Sequence, residues 1–162
     1  MSKIAELGDI KSTEIKERFK NLGTVLGVYL TELEEAEANL KLEGKSLEKA
    51  NRENPSWMYY YAQRFVELNT LTKFFEREVE RVRGKLFRGF SPPLFNVVLS
   101  DRAKDKYIDN EQAYLDIQEI YLEVKEVRDL YESLIEAFRN RGYALKNITE
   151  ARVAQIEDVL LN

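Results

Sequence analysis

Ala113, Ile117, Ile120, Val124, Val127, Tyr131, Leu134 and Phe138 recur at alternating steps of four and three. A strand alternates every second residue and cannot make this pattern, so the stretch is a helix carrying one narrow apolar seam. Such a seam is sheltered only by another helix of comparable length. The chain supplies one. Asn54-Pro55-Ser56 reads as a helix start, with Asn as cap and Pro at the first helical position. Residues 55–88 then run on to the Gly89-Phe90-Ser91-Pro92-Pro93 stop, ~50 Å at 1.5 Å per residue. Leu71, Phe75, Val79, Val82 and Leu86 form their seam.

With 7 Gly and 3 Pro in 162 residues there are few breaks, which favours long helices. The expected fold is all-α: a long antiparallel helical hairpin of coiled-coil type, with flanking N- and C-terminal helices. The N-terminal helix spans 12–43, capped by Ser12 or Thr13, and its face carries Ile15, Phe19, Leu22, Leu26, Tyr29, Leu30, Leu33, Ala36 and Leu40. Gly44 ends it, and a short element capped by Ser46 covers 46–52. Residues 94–100, LFNVVLS, form either a short β segment or an extended linker. Asp109 or Asn110 caps the second long helix and Arg141-Gly142 ends it. A final helix over about 146–161 places Ile148, Val153, Ile156, Val159 and Leu160 on one side. At 162 residues the chain suits one domain with a real core. So much narrow seam leaves apolar surface for a homo-oligomer to cover.

The chain has no Cys and no His, which removes thiolate sites, the commonest metal ligand and the usual general base. No catalytic triad, phosphate-binding glycine loop or paired metal motif is present, so neither an enzyme nor a cofactor is expected. The Glu-rich TELEEAEAN stretch has the spacing of a solvated helix face. No apolar run approaches a membrane span, MSKIAELGDIK lacks a signal-like core, and the expected location is cytoplasmic.

Net charge is −4 but unevenly spread. Residues 1–70 balance at −2, 71–106 at +4 and 107–162 at −6. In the basic middle, Lys73, Arg77, Arg81, Lys85 and Arg88 recur at steps of four, four, four and three, with Arg83 beside them. Like charges four apart repel by a few tenths of a kcal/mol per pair, so the row is either neutralised internally or used on a polyanion. These six residues are the candidate nucleic-acid site, and Arg102, Lys104 and Lys106 extend it. Phe87, Phe90 and Phe95 either stack on bases or plug the hairpin end. Of three consecutive tyrosines, Tyr59, Tyr60 and Tyr61, at least one must lie at a surface or interface.

Several motifs resemble the UvsY family, recombination mediators of T-even-type bacteriophages. Asn140-Arg141-Gly142-Tyr143-Ala144-Leu145-Lys146-Asn147-Ile148 is similar to its C-terminal "SRGF-A-I-K" signature. Val98-Leu99-Ser100 followed by Asp109 resembles its "VLS…D" segment, and Asn54-Pro55 with Tyr61 its "NP" helix start. Ser46-Leu47-Glu48-Lys49-Ala50 is a weaker echo of the element before it. The resemblance covers about 45–158 in the same order. It implies an all-α protein, without enzymatic activity, that binds single-stranded DNA during DNA recombination and repair. It also implies partners: a RecA-like recombinase, the single-strand-binding protein that it helps displace, and further copies in a closed ring of about six to eight. The family's basic pair falls on Arg81 and Arg83, ahead of Phe87 and Gly89, and its oligomerisation helix falls on about 144–160. For a phage-encoded chain the location would be the host cytoplasm. Residues 1–44 have no counterpart in compact members of the family, so the resemblance divides the chain into an N-terminal helical extension, 1–44, and a UvsY-like helical core, 45–162; the loop is Pro-Pro rather than acidic. From another class, a helical scaffold or prefoldin-like holdase shares the helix–short β–helix plan.

Overall fold

The computed structural model describes residues 17–161, with side chains up to residue 155. Among the described residues every regular element is a helix: α1 (Leu22–Leu40), α2 (Leu47–Gly89), α3 (Asp101–Ile108) and α4 (Gln112–Leu161). The protein is all-α, as expected. The anticipated caps Ser12 and Thr13, and Ile15, lie outside the described residues, as do the side chains of Ile156, Val159 and Leu160.

The heptad seam is buried. Ala113, Ile117, Val124, Val127, Tyr131, Leu134 and Phe138 are all at most 8% exposed, and Ile120 is half-buried. The helices divide between two compact units. One holds the described residues up to Leu26 with Asn69–Glu126, and the other holds Gly27–Leu68 with α4 from Val127 onward.

In the second unit, contacts fall on α2 as they rise on α4, so the two run antiparallel. Tyr61 packs against Tyr131 and stacks on Phe138, Asn54 bonds the Phe138 carbonyl and Arg141, and Asn51 bonds Thr149. Burying rings of this size contributes about 1.5–3 kcal/mol each. α1 closes the unit through Glu32. Both its carboxylate oxygens accept from Arg64, at 3.1 and 3.0 Å, and it also accepts from the Tyr131 hydroxyl. That hydroxyl shares its one proton with the Tyr29 carbonyl at 3.0 Å. The Glu-rich stretch is thus a solvated face only in part, because Glu32 has turned inward while Glu34, Glu35 and Glu37 stay exposed. Leu30, expected on the inner face, is 43% exposed.

The N-terminal helix, expected over 12–43, is interrupted by a turn at 19–21 and ends at Leu40, and four further sequence expectations need correction, each for a definite reason. First, α2 does not begin at Asn54 but at Leu47, where the Ser46 hydroxyl accepts from the Lys49 amide. Pro55 inside the helix deprives only the carbonyl four residues back of its donor. The turns before it are held by buried Ala50 and by Asn54, itself buried. Second, Gly142 does not end a helix, and α4 continues to Leu161. A Cβ at Gly142 would come within 3.0 Å of Asn54 Nδ2, so the missing side chain serves close approach of α2 and α4. Third, of the two alternatives for residues 94–100 the strand is not formed: a turn and bends over 94–97 lead into irregular chain at 98–100, with Leu94, Val97 and Val98 exposed and an extended Ser100 capping α3. Fourth, Asp109 is the C-cap of α3, and Asn110 donates to the Lys106 carbonyl, so both finish α3 rather than start α4. The two residues following α1 lead into a turn in which Gly44 adopts φ 73°, a left-handed conformation that glycine enters without strain.

Arg141 ties these features together. Its guanidinium is buried and donates to the carbonyl of Leu40 at the end of α1, to the Ala50 carbonyl, and to Asn54 Oδ1 at 2.8 Å. A cation suits a helix C-terminus. Burial pulls its pKa below the usual arginine value, and Nη2 has no hydrogen-bond partner.

Replacing Asn54 by Ala strips one acceptor from that guanidinium, at an expected cost of about 2 kcal/mol in urea unfolding. Gly142→Ala is then expected to cost less in the Asn54→Ala background than alone; equal costs would refute the steric account. Alkaline pH offers a second check. Burial first, then neighbouring carboxylates, raise Tyr29 and Tyr131 above the ordinary value of 10.0, and burial raises Tyr61. Above pH 10 the unfolded chain ionises these phenols while the folded chain resists, so stability is complete below pH 10 and lost above it. The urea midpoint should hold from about pH 8 to 9.5 and then fall, with the last tyrosinate absorbance appearing only on unfolding. Full ionisation of every tyrosine near pH 10 with native circular dichroism would contradict this.

Candidate nucleic-acid interface

The cationic row lies in the first unit, on α2. At 100° per residue Lys73, Arg77, Arg81, Lys85 and Arg88 occupy a sector centred roughly 140° from the seam Leu71, Phe75, Val79, Val82 and Leu86. The structure bears out both faces. Phe75 and Val82 are at most 1% exposed and Val79 is 9% exposed, while all five cations of the row are exposed. Each step of four residues advances the row by ~6 Å.

The six candidate residues fall into three kinds. Lys73, Arg77, Lys85 and Arg88 are exposed and form no ion pair among the described residues. Arg81 is shared: its guanidinium donates to Glu78 Oε2 at 2.7 and 3.2 Å, and the same oxygen accepts from Arg18 at 3.0 Å. Glu78 is 9% exposed, so one sunken carboxylate holds two half-exposed guanidinium groups and leaves the trio at +1. Arg83 sits off the row. It donates to Asp105 Oδ1 at 2.9 Å on α3 and to the Tyr114 hydroxyl at 3.4 Å on α4, with its guanidinium over the Tyr114 ring. Bonding to Asp105 raises its pKa. This residue staples three helices together.

The possible extension through α3 also divides. Arg102 and Lys106 are exposed. Lys104 is buried, its ammonium 4.5 Å from the centre of the Phe87 ring and 3.3 Å from Asp101. The loop aromatics serve as packing. Phe90 is 4% exposed, stacks on Tyr107 and meets the edge of Phe95, while Phe87 lies beneath Lys104. They plug the end of α2. Of the consecutive tyrosines, Tyr61 is 2% exposed and Tyr59 67%, as their spacing requires.

Two residues of this surface escaped the sequence reading, Arg18 and Phe74, whereas Glu78 was expected among the carboxylates that could pair with the row, and it does pair with Arg81. Phe74 lies in the angular sector of the cations, one residue past Lys73 and three before Arg77, so its position was available from spacing. Arg18 was not, because only the fold brings it to Glu78. Among the described residues no group of acidic side chains could hold a metal ion, and no helix is long and apolar enough to cross a membrane.

This division predicts separable effects. Arg83→Ala should lower unfolding stability by about 1 kcal/mol or less, given its partial exposure, through the loss of the staple. Lys73→Ala and Arg77→Ala should each stay within about 0.5 kcal/mol of the parent in urea titrations. Equal losses at all three sites would show that the row is structural. Compared with models of protein families, with curated proteins and with solved structures, the chain matches none, so the resemblance to UvsY-type mediators rests on the motif residues named above.

Proposed function

We propose that this protein binds single-stranded DNA along the exposed face of α2 and acts as a recombination mediator. In that role it loads a RecA-like recombinase onto the strand in place of single-strand-binding protein. The observation that carries the reading is the face itself. Lys73, Arg77, Lys85 and Arg88 stand exposed and unpaired among the described residues, on the side of the helix away from its core. A helix kept only for solubility would interleave carboxylates on that face, as surface helices do. Here Glu76 and Glu80 flank the row, and Glu78 is sunk beneath Arg81.

Contacts of this kind are to phosphate, carry little sequence preference and act by counterion release. One chain offers few of them, so function would rest on assembly. Copies arrayed in a closed ring multiply weak contacts through effective concentration. The end of α4 supports assembly too. Beyond the end of the heptad seam at Phe138, α4 carries Ile148 and Val153, 39% and 50% exposed, and in sequence Ile156, Val159 and Leu160, apolar surface that further copies could cover. We read α2 and α4 as a coiled-coil hairpin carrying the ridge, residues 1–44 as an extension to a 45–162 core, and the setting as cytoplasmic.

A holdase reading has one observation of its own: Leu94, Val97 and Val98 are apolar and 53–84% exposed in the α2–α3 connection. Slower aggregation of an unfolding client, lost on Val97→Ser/Val98→Ser, would favour it.

The test of the primary reading is an anisotropy titration with a labelled dT oligonucleotide over a salt series. Replacing Lys73, Arg77, Lys85 and Arg88 together by Ala should lower the slope of log K against log salt by about 3, at 0.7 per phosphate contact. Absence of binding by the parent at low salt, or an unchanged slope in the variant with intact helicity, would end this proposal.

A further inference from the structure

Phe74 stands within the cationic row, and it is 40% exposed. A row that served phosphate alone would have no use for a ring there. Three aromatic residues meet at this point. Phe74 touches Phe75 at a centroid distance of 5.2 Å and Phe19 at 6.3 Å, both edge-to-face, while Phe19 meets Phe75 at 4.9 Å. Phe75 is buried and anchors the group. The two neighbours fix the position of Phe74, and neither stacks flat on it.

Cations frame this ring. Lys73 and Arg77 precede and follow it in sequence, and Arg81, seven residues on, lies almost directly along the helix from it. Arg81 is held in place by Glu78, and the same carboxylate holds Arg18, whose guanidinium lies 5.1 Å from the centre of the Phe19 ring. A rigid, half-exposed ring is therefore set among positive groups, two of them fixed by a buried carboxylate.

We infer that Phe74 is the base-stacking platform of this surface and the residue that makes it prefer single strands to duplex. This rests on the reading of the row as a nucleic-acid interface. Phosphate contacts cannot tell the two apart, because both present a phosphate backbone. A ring can stack only on a base whose face is free, which a single strand offers and a duplex withholds. The aromatic residues at the end of α2 and in the loop after it are engaged in packing: Phe90 is buried against Tyr107 and Phe95, and Phe87 has Lys104 over its ring.

The experiment compares the full chain with Phe74→Leu and Phe74→Tyr, titrated against a dT oligonucleotide and a hairpin duplex of equal phosphate number. Phe74→Leu keeps apolar packing against Phe19 and Phe75 and removes the ring. It should weaken single-strand binding about tenfold, the scale of one base–aromatic stack. Duplex affinity and the salt slope should not move, and Phe74→Tyr should restore the parent value. Equal loss on both ligands, or no loss on either, overturns the inference while leaving the phosphate-binding reading intact. A parent chain that binds neither ligand overturns both. Should Phe74→Leu fold poorly, photocrosslinking of the parent to an oligonucleotide carrying 5-iododeoxyuridine decides. An adduct on Phe74 sustains the inference, and adducts confined to other aromatic residues overturn it.

Discussion

The narrow apolar seam of α4 is the constraint from which the rest follows. A stripe of small and branched residues broken only by Tyr131 and Phe138 cannot be stable alone in water. It asks for helical partners close enough to exclude water. In the second unit that closeness is specified by polar groups. Arg141 reaches three acceptors on α1 and α2, and Gly142 removes the one side chain that would hold Asn54 away. A buried guanidinium with no carboxylate bonded to it is a poor source of stability, because desolvation opposes its charge. It does reject alternatives, since sliding either helix by a turn would leave more of its donors unsatisfied than the single Nη2 left now. Specificity of register, rather than net stabilisation, is the physical content of the Asn-Arg-Gly sequence.

Much of this was legible in the chain, and what was not failed for identifiable reasons. Periodicity identified the seams because burial of a helix stripe is a property of spacing alone. Local signals at Asn54-Pro55 and Arg141-Gly142 misled because capping residues and close-packing residues are the same types. Asn is a good cap and also a compact double hydrogen-bonder, and Gly is both a stop and a gap. Only the partner decides between these roles, and in the second unit each segment is the other's partner. The short helix α3 was missed for a different reason. Its eight residues, DRAKDKYI, show too little periodicity for a stripe, and its order comes from contacts distant in sequence: Arg83 to Asp105, Phe90 to Tyr107, and Phe87 to Lys104.

The charges obey the same logic. A row of cations was visible from spacing, but spacing could not say which of them the protein keeps for itself. Arg83 lies off the row and is consumed by Asp105 and Tyr114. Arg81 lies on the row and is half-consumed by Glu78. The four that remain open are those with no carboxylate partner among the described residues. Adjacent turns of one helix thus use their cations differently. One side of α2 spends arginine on joining helices, and another leaves lysine and arginine available to an outside anion.

Glu78 is where these two uses meet. A carboxylate in a cationic row lowers its net charge, so for the proposed binding of a polyanion the position would favour a neutral residue. Its value is geometric. Bound by two guanidinium groups from different segments, it restricts the rotamers of Arg18 and Arg81 before any ligand arrives. Ordering a long, rotamer-rich side chain costs about 0.5–1.5 kcal/mol on association, and a group already ordered is spared that cost. The same clamp brings Arg18 to the edge of the Phe19–Phe74–Phe75 cluster, so the aromatic ring and the nearest cations keep one fixed arrangement. An interface that met only phosphate would tolerate mobile charges. One that must also present a flat ring to a base, as proposed for Phe74, gains from fixed ones, and the unit of charge given up at Glu78 is offset by that order.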